Sequence, residues 1–187
     1  MNTQTQKFSV PLRALHWSMA VLLIGLLVSG IYAHGMTLDH PWKFDLYAWH
    51  RAFGVLAFAL VILRLIVRFG SRSPEMPATL PWYERTSARA AQIFLYLAML
   101  AIPVFGYVAS SAVPEFPSIP PLHAIWFFGL ELPLFPITRN YETTVFYISI
   151  HKYLGYAMIA IITVHAAGAL KHRFFDRPEN DVLSKML

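Results

Sequence analysis

The sequence predicts an all-α integral membrane four-helix bundle, and three observations predict it. Of the 187 residues, 57% are hydrophobic and only 13% are charged, where a soluble domain would carry charge on about a quarter of its residues. Four apolar stretches, about 14–33, 47–69, 90–113 and 145–170, are each long enough to cross a bilayer. The Lys and Arg residues gather at one set of ends of those stretches, as a membrane topology signal requires. One domain over 1–187 accounts for the whole chain.

The first span, Ala14 to Ala33, holds no Asp, Glu, Lys or Arg. It is longer than the apolar region of a cleaved signal peptide, so it is expected to be retained. His34 to Asp45 reads as a polar connection. In the second span, Tyr47 to Phe69, the uncharged core covers only 52–63. His50, Arg51, Arg64 and Arg68 must then lie near the ends or bind something, and charged groups at membrane depth are functional candidates. A Pro- and Ser-rich loop follows over 70–89. The third span, Ala90 to Val113, carries Pro103 and Gly106, which are expected to bend it. The connection 114–141 is Pro-rich, and Ile125 to Leu130 within it reads as an interfacial segment with an aromatic anchor. Trp17, Trp42, Trp49, Trp82 and Trp126 read mostly as interfacial belt residues. The fourth span, Val145 to Leu170, is followed by a short charged tail.

Eleven of the fifteen Lys and Arg residues flank the N-terminus, the second loop (with Arg64 and Arg68 at its edge) and the tail. Lys43, Arg51, Arg139 and Lys152 lie on the other side. This bias predicts both termini in the cytoplasm of a bacterial inner membrane protein. It also accounts for the net charge of +5 without a nucleic-acid partner. The absence of cysteine excludes c-type haem attachment, thiolate-held iron–sulfur clusters and disulfides.

His151 and His165 are fourteen residues apart in an otherwise apolar run. On a helix that is about four turns, so both imidazoles point to nearly one side, roughly 21 Å apart along the axis. Topology places His16 at the depth of His165 and His50 at the depth of His151. Imidazole is a good ligand for iron, and bundle cores build sites from side chains on facing helices. The four histidines therefore read as metal ligands of two stacked sites, most simply two b-type haems: His16 with His165, and His50 with His151. A flat ring needs close backbone approach, which Gly54 and Gly155, each one turn from a histidine, could allow; Gly168 follows His165. Haem propionates need cations, and Arg51 and Lys152 are placed for the outer haem, Arg64 for the inner one. His172, near the face of His165 at the inner surface, reads as a headgroup contact or as part of a quinone or propionate site. His34, His40 and His123 are expected in outer loops.

These residues also carry a resemblance. Leu15-His16-Trp17, His50 with Gly54, Arg64-Leu65 with Arg68, Tyr96-Leu97 with Pro103 and Gly106, Trp126-Phe127 with Gly129-Leu130, and His151 through Leu154-Gly155-Tyr156 to His165 and His172 follow one order over nearly the whole chain. The pattern resembles the bacterial cytochrome b561 family, which is similar to the membrane cytochrome b subunits of nickel–iron hydrogenases. The resemblance implies four membrane helices, two haems b with the same two histidine pairs, and electron transfer linked to quinone, ubiquinone being the expected substrate. Some relatives carry a histidine in the third helix where this chain has Arg89 or Gln92.

Three functions follow as expectations. The first is an oxidoreductase of the respiratory chain, passing electrons between a periplasmic donor and quinone; in at least one family member the donor is superoxide. Lys43, Arg51, Arg139 and Lys152 could draw an anionic donor to the outer face. The second is a haem-bearing anchor subunit of a larger dehydrogenase or hydrogenase, with a partner subunit. The third is a structural or transport protein whose histidines only hydrogen-bond.

Overall fold

The computed structural model describes residues 7–71, 74–77, 79–117 and 119–187; Arg72, one of the charges counted above, lies outside them. Four long helices dominate: α1 (Val10–Gly35), α2 (Lys43–Phe69), α3 (Trp82–Ser111) and α4 (Tyr141–Phe174). All four are long and apolar enough to cross a membrane. Their outward side chains are apolar and uncovered: Val21 is 73% exposed, Ile66 64% and Phe69 86%. In a bilayer that surface faces lipid tails, while each helix satisfies its own backbone.

Every helix differs from its predicted span at one end or both. The predicted limits followed the uncharged cores, but helical hydrogen bonds continue through the interface until a capping or breaking signal stops them. Pro11 sits in the first turn of α1, where its missing N–H costs nothing. Glu84 lies in the first turn of α3 after Pro81. Helix α3 thus starts eight residues before the predicted Ala90, so Arg85 and Arg89 are helical, not in a loop; it ends at Ser111, not Val113. Asn140 caps α4 by accepting the Thr143 N–H at 2.8 Å. Lys171, His172 and Arg173 occupy its last turn, where cations are favoured. His34, expected in a loop, lies in the last turn of α1.

One segment of the Pro-rich connection departs from the all-α class. Residues 124–133 form an antiparallel hairpin, β1 (Ala124–Phe127) with β2 (Leu130–Pro133). Phe128 and Gly129 make its two-residue turn with φ of 47° and 95°, the positive values that match strand twist. The hairpin lies on α2. Ile125 is buried beneath it, and Trp126 meets Trp49 edge-on at 4.9 Å. These two tryptophans, expected in the belt, pack on each other.

The charged tail is also ordered. It includes a short 3-10 turn, Pro178–Asn180. Phe8 N–H donates to the Lys185 carbonyl at 3.0 Å, Trp17 Nε1 to the Met186 carbonyl at 2.9 Å, and Thr79 Oγ1 to Asn180 Oδ1 at 2.6 Å. Arg173 pairs with Asp181. The tail thereby ties α1 to the α2–α3 loop across one end of the bundle, hereafter the tail end; the other is the hairpin end.

Packing among the helices is uneven. Helix α1 packs on α2, α2 on α3 and α3 on α4, but α4 does not pack closely on α1 or α2 among the described residues. The helices form an open row, α1 to α4 in order, with a gap on one side of α4.

Candidate functional site

The gap is bridged by histidines. Helix α4 runs unbroken through His151 and His165, so its periodicity holds and both rings lie on nearly one side of it, one toward α2 and the other toward α1. At the hairpin end the rings of His50 on α2 and His151 on α4 have centroids 6.0 Å apart at an interplanar angle of 78°. At the tail end His16 on α1 and His165 on α4 stand 6.4 Å apart at 79°. A metal bound to one nitrogen of each ring needs two bonds of about 2 Å plus two ring radii of roughly 1.1 Å, a little over 6 Å in all. Both pairs fit that requirement.

At the hairpin end the rings are held by their other nitrogens. His151 Nδ1 lies 2.8 Å from the Ile102 carbonyl, an acceptor only, so Nδ1 carries the proton and Nε2 has the free lone pair. Ser29 Oγ donates its single proton to the Leu26 carbonyl at 3.1 Å. Its contact with His50 Nδ1, also 3.1 Å, is therefore one in which Nδ1–H donates, again freeing Nε2. Such outer partners fix the tautomer and orientation of a ligating histidine.

Backbone approach to the rings comes from glycines that sequence reasoning did not assign to them. A Cβ at Gly106 would lie 2.8 Å from the His151 ring, and one at Gly30 3.0 Å from the His50 ring. Gly106 had been expected only to bend α3. Gly54 and Gly155 play a different part: a Cβ at Gly54 would meet nothing within 4 Å, and one at Gly155 only Leu27 at 3.9 Å. Both line an apolar cavity between α1, α2, α3 and α4 that also contains His50, His151 and His34. They leave room beside the histidines rather than pressing on them. Gly168 likewise meets nothing within 4 Å.

The cations divide. Arg51 and Lys152 line the same cavity. Lys43 and Arg139 are engaged with backbone: Lys43 Nζ donates to the Met36 carbonyl at 2.6 Å, and Arg139 donates to the carbonyls of Val113 and Leu122. Of the four outer cations, these two hold loops in place. Arg64 is buried, 9% exposed, and its Nε donates to Tyr96 Oη at 3.2 Å. Arg68, one turn on, lies over the Phe8 ring instead. Tyr96 was not singled out from sequence as a partner of Arg64, although its helix position at matching depth was the available signal.

His172 faces α3 and the tail. Its Nδ1 is 2.6 Å from Asp176 and its Nε2 3.8 Å from Glu84; Lys171 Nζ is 2.6 Å from Glu84. The hydrogen bond from His172, with the nearby Lys171 charge, holds the Asp176 carboxyl below the usual carboxylate range. The group joins the first turn of α3 to the last turn of α4. His40 Nδ1 accepts the Trp42 N–H, and His123 is exposed.

Two comparisons bear on this arrangement. Residues 7–187 match the family model described as prokaryotic cytochrome b561. The chain is also similar to cytochrome b561 homolog 2 of Escherichia coli (strain K12), 26% identical over 185 residues that cover 97% of this chain and 92% of that relative.

Proposed function

This chain belongs to the prokaryotic cytochrome b561 family, and from that premise we propose that it is a di-haem cytochrome carrying electrons between a donor and membrane quinone. Membership makes it a multi-pass bacterial membrane protein and a b-type cytochrome of electron transfer. The proposal adds the number of haems, their ligands and the two redox partners. One observation carries it: α4 stands off from α1 and α2, and the gap is crossed by two histidine pairs at metal-binding separation.

His50 and His151 would hold one haem, and His16 and His165 the other. Bound there, haem iron supplies one-electron chemistry, which no side chain of this protein offers. The protein's part is to present two free imidazole nitrogens per site, to keep the sites apolar, and to space them about four turns apart along α4. Arg51 and Lys152 would meet propionates at the hairpin end, and Arg64 one at the tail end. The Lys and Arg bias assigns the tail end, and both termini, to the cytoplasm. The donor then approaches the hairpin end from the periplasm. Lys43, Arg51, Arg139 and Lys152 all lie toward that end and would together draw a small anion such as superoxide. Ubiquinone is the proposed second partner, reached from the lipid.

The test is a reduced-minus-oxidised visible spectrum with haem and protein quantified on the purified chain, followed by addition of a water-soluble ubiquinone analogue to the reduced form. Two low-spin b-type haems per chain that reoxidise with the quinone are expected. One haem or none per chain would overturn the di-haem reading, and two haems inert to quinone would overturn the quinone assignment.

A further inference from the structure

The hairpin belongs to no membrane span and supplies no histidine, yet it reaches the cavity. Residues 124–133 carry one charge, Glu131, and no Lys or Arg. Ile125 on β1 is 1% exposed and lines the cavity that contains His50 and His151. Trp126, Phe128 and Leu130 are exposed by contrast, Leu130 at 62%. We propose that the hairpin is a lipid-docked cover: Trp126, Phe128 and Leu130 seat in the headgroup–acyl boundary of the bilayer at the hairpin end, while Ile125 closes the cavity there. This role is separate from the electron-transfer reading and holds whatever the number of haems.

The direction of the hairpin tip identifies lipid as the occupant. Trp126 meets Trp49 at 4.9 Å. Phe128, at the turn, meets Trp49 at 6.2 Å and Phe53 edge-on at 5.4 Å. Phe53 lies one helical turn further from the start of α2 than Trp49. From Trp126 to Phe128 the chain therefore runs back along α2, toward the middle of the span and to about the depth of His50, instead of out into water. The surface beside it continues the lipid face of α2: Leu63, fourteen residues after Trp49 and so on nearly the same side of the helix, is 45% exposed. Aromatic side chains concentrate at the membrane–water boundary, and a contiguous exposed apolar patch marks a contact surface.

Backbone chemistry limits the depth. The strands pair with each other, Ile125 opposite Leu132 and Trp126 opposite Glu131, but a two-stranded sheet leaves both outer edges open. Open edges are not tolerated in hydrocarbon, whereas water at the headgroup level satisfies them. Exposed Glu131 and exposed His123, at the base, need the same water. A protein partner steered by charge would find a single carboxylate on these ten residues. The base of the hairpin is fixed on α3: Phe135 N–H donates to Ser111 Oγ at 2.9 Å, and Tyr107 Oη donates to the Pro133 carbonyl. Ile125 is thus held over the cavity from α3 at the base and from α2 at the tip, and lipid around the tip completes the hold.

The chain contains no cysteine, so a single introduced one carries a spin label without background. Phe128→Cys and Leu130→Cys, each in the full chain reconstituted in vesicles of phosphatidylethanolamine and phosphatidylglycerol, are read by collision with oxygen, which concentrates in lipid, and with a water-soluble nickel chelate. Val21→Cys, on the lipid face of α1, and Asp39→Cys, in the exposed α1–α2 connection, give the two reference values. Both hairpin labels are expected to show an oxygen-to-nickel ratio severalfold above that of Asp39→Cys and below that of Val21→Cys. A ratio matching Asp39→Cys would put the tip in water, and one matching Val21→Cys would put it in hydrocarbon; either overturns the proposal. Labels reached by neither reagent would mean that a second copy of the chain covers the hairpin, which also overturns it. Leu130→Cys decides alone if Phe128→Cys, at a positive-φ position, does not accumulate. The cover is tested with Ile125→Cys, which should resist a water-soluble methanethiosulfonate and become reactive when Leu130→Asp draws the tip out of the lipid. Reaction of Ile125→Cys by itself, or no change on adding Leu130→Asp, would sink the lipid-held cover.

Discussion

Replacement of His50 or His151 by Ala is expected to remove the hairpin-end haem and leave the tail-end haem spectrally intact; His16→Ala and His165→Ala should do the reverse. The effect should be near complete, because each site has one imidazole on each side and the opposing ring, 6.0 or 6.4 Å away by centroid, cannot take both positions. Partial independence of the two sites follows from α4. The two histidines it carries are separated by about four turns of unbroken helix, roughly 21 Å, and substitutions that far apart generally add. Haem content per chain should fall by half in each variant, and the two members of a pair should leave the same residual spectrum. His34→Ala is the control, since His34 lines the same cavity as His50 without facing a second histidine. Two low-spin haems retained in His50→Ala or His165→Ala would sink the assignment of ligands.

How far the sequence was legible depends on the range of the interactions involved. The four spans could be read because a bilayer demands long apolar runs. The meeting of His16 with His165 and of His50 with His151 could be read because helix period and alternating helix direction set both face and depth. Helix limits could not, because backbone hydrogen bonding outlasts the uncharged core; α3 begins at Trp82 inside what composition marks as loop. The hairpin was hidden for another reason. Ala124 to Leu130 is apolar at almost every position, so it shows no two-residue alternation, and its turn sets Phe128 rather than Asn or Gly at the first positive φ. Ser29, Gly30, Ile102 and Gly106 were missed because they act across helices, on a histidine whose neighbour is fixed only by packing. Gly54 and Gly155 were legible by their echo, each following a histidine by one turn, although they leave space and do not press on the rings.

That difference between glycines yields the sharpest steric prediction. Gly54→Leu should fold and reach the membrane yet lose the hairpin-end haem. On the bare chain a Cβ there has nothing within 4 Å, and the cavity that Gly54 lines gives the rest of the side chain room. A helix-interior glycine replaced by a better helix former also gains up to about 1 kcal/mol of local stability. The new side chain, however, occupies the cavity shared with His50 and His151, and what it displaces is whatever those histidines hold. Gly54→Ala, a single methyl, should retain much of the haem. Gly106 should behave in the opposite order: even Ala places its Cβ 2.8 Å from the His151 ring, which must move off the Ile102 carbonyl. Membrane abundance and haem per chain, measured together on Gly54→Ala, Gly54→Leu and Gly106→Ala, separate the two kinds of glycine. Full haem content in Gly54→Leu would make Gly54 an ordinary helix residue and move the cofactor out of this cavity. Loss of membrane abundance in step with haem would mean that the glycine serves helix packing, which the open space in front of it argues against.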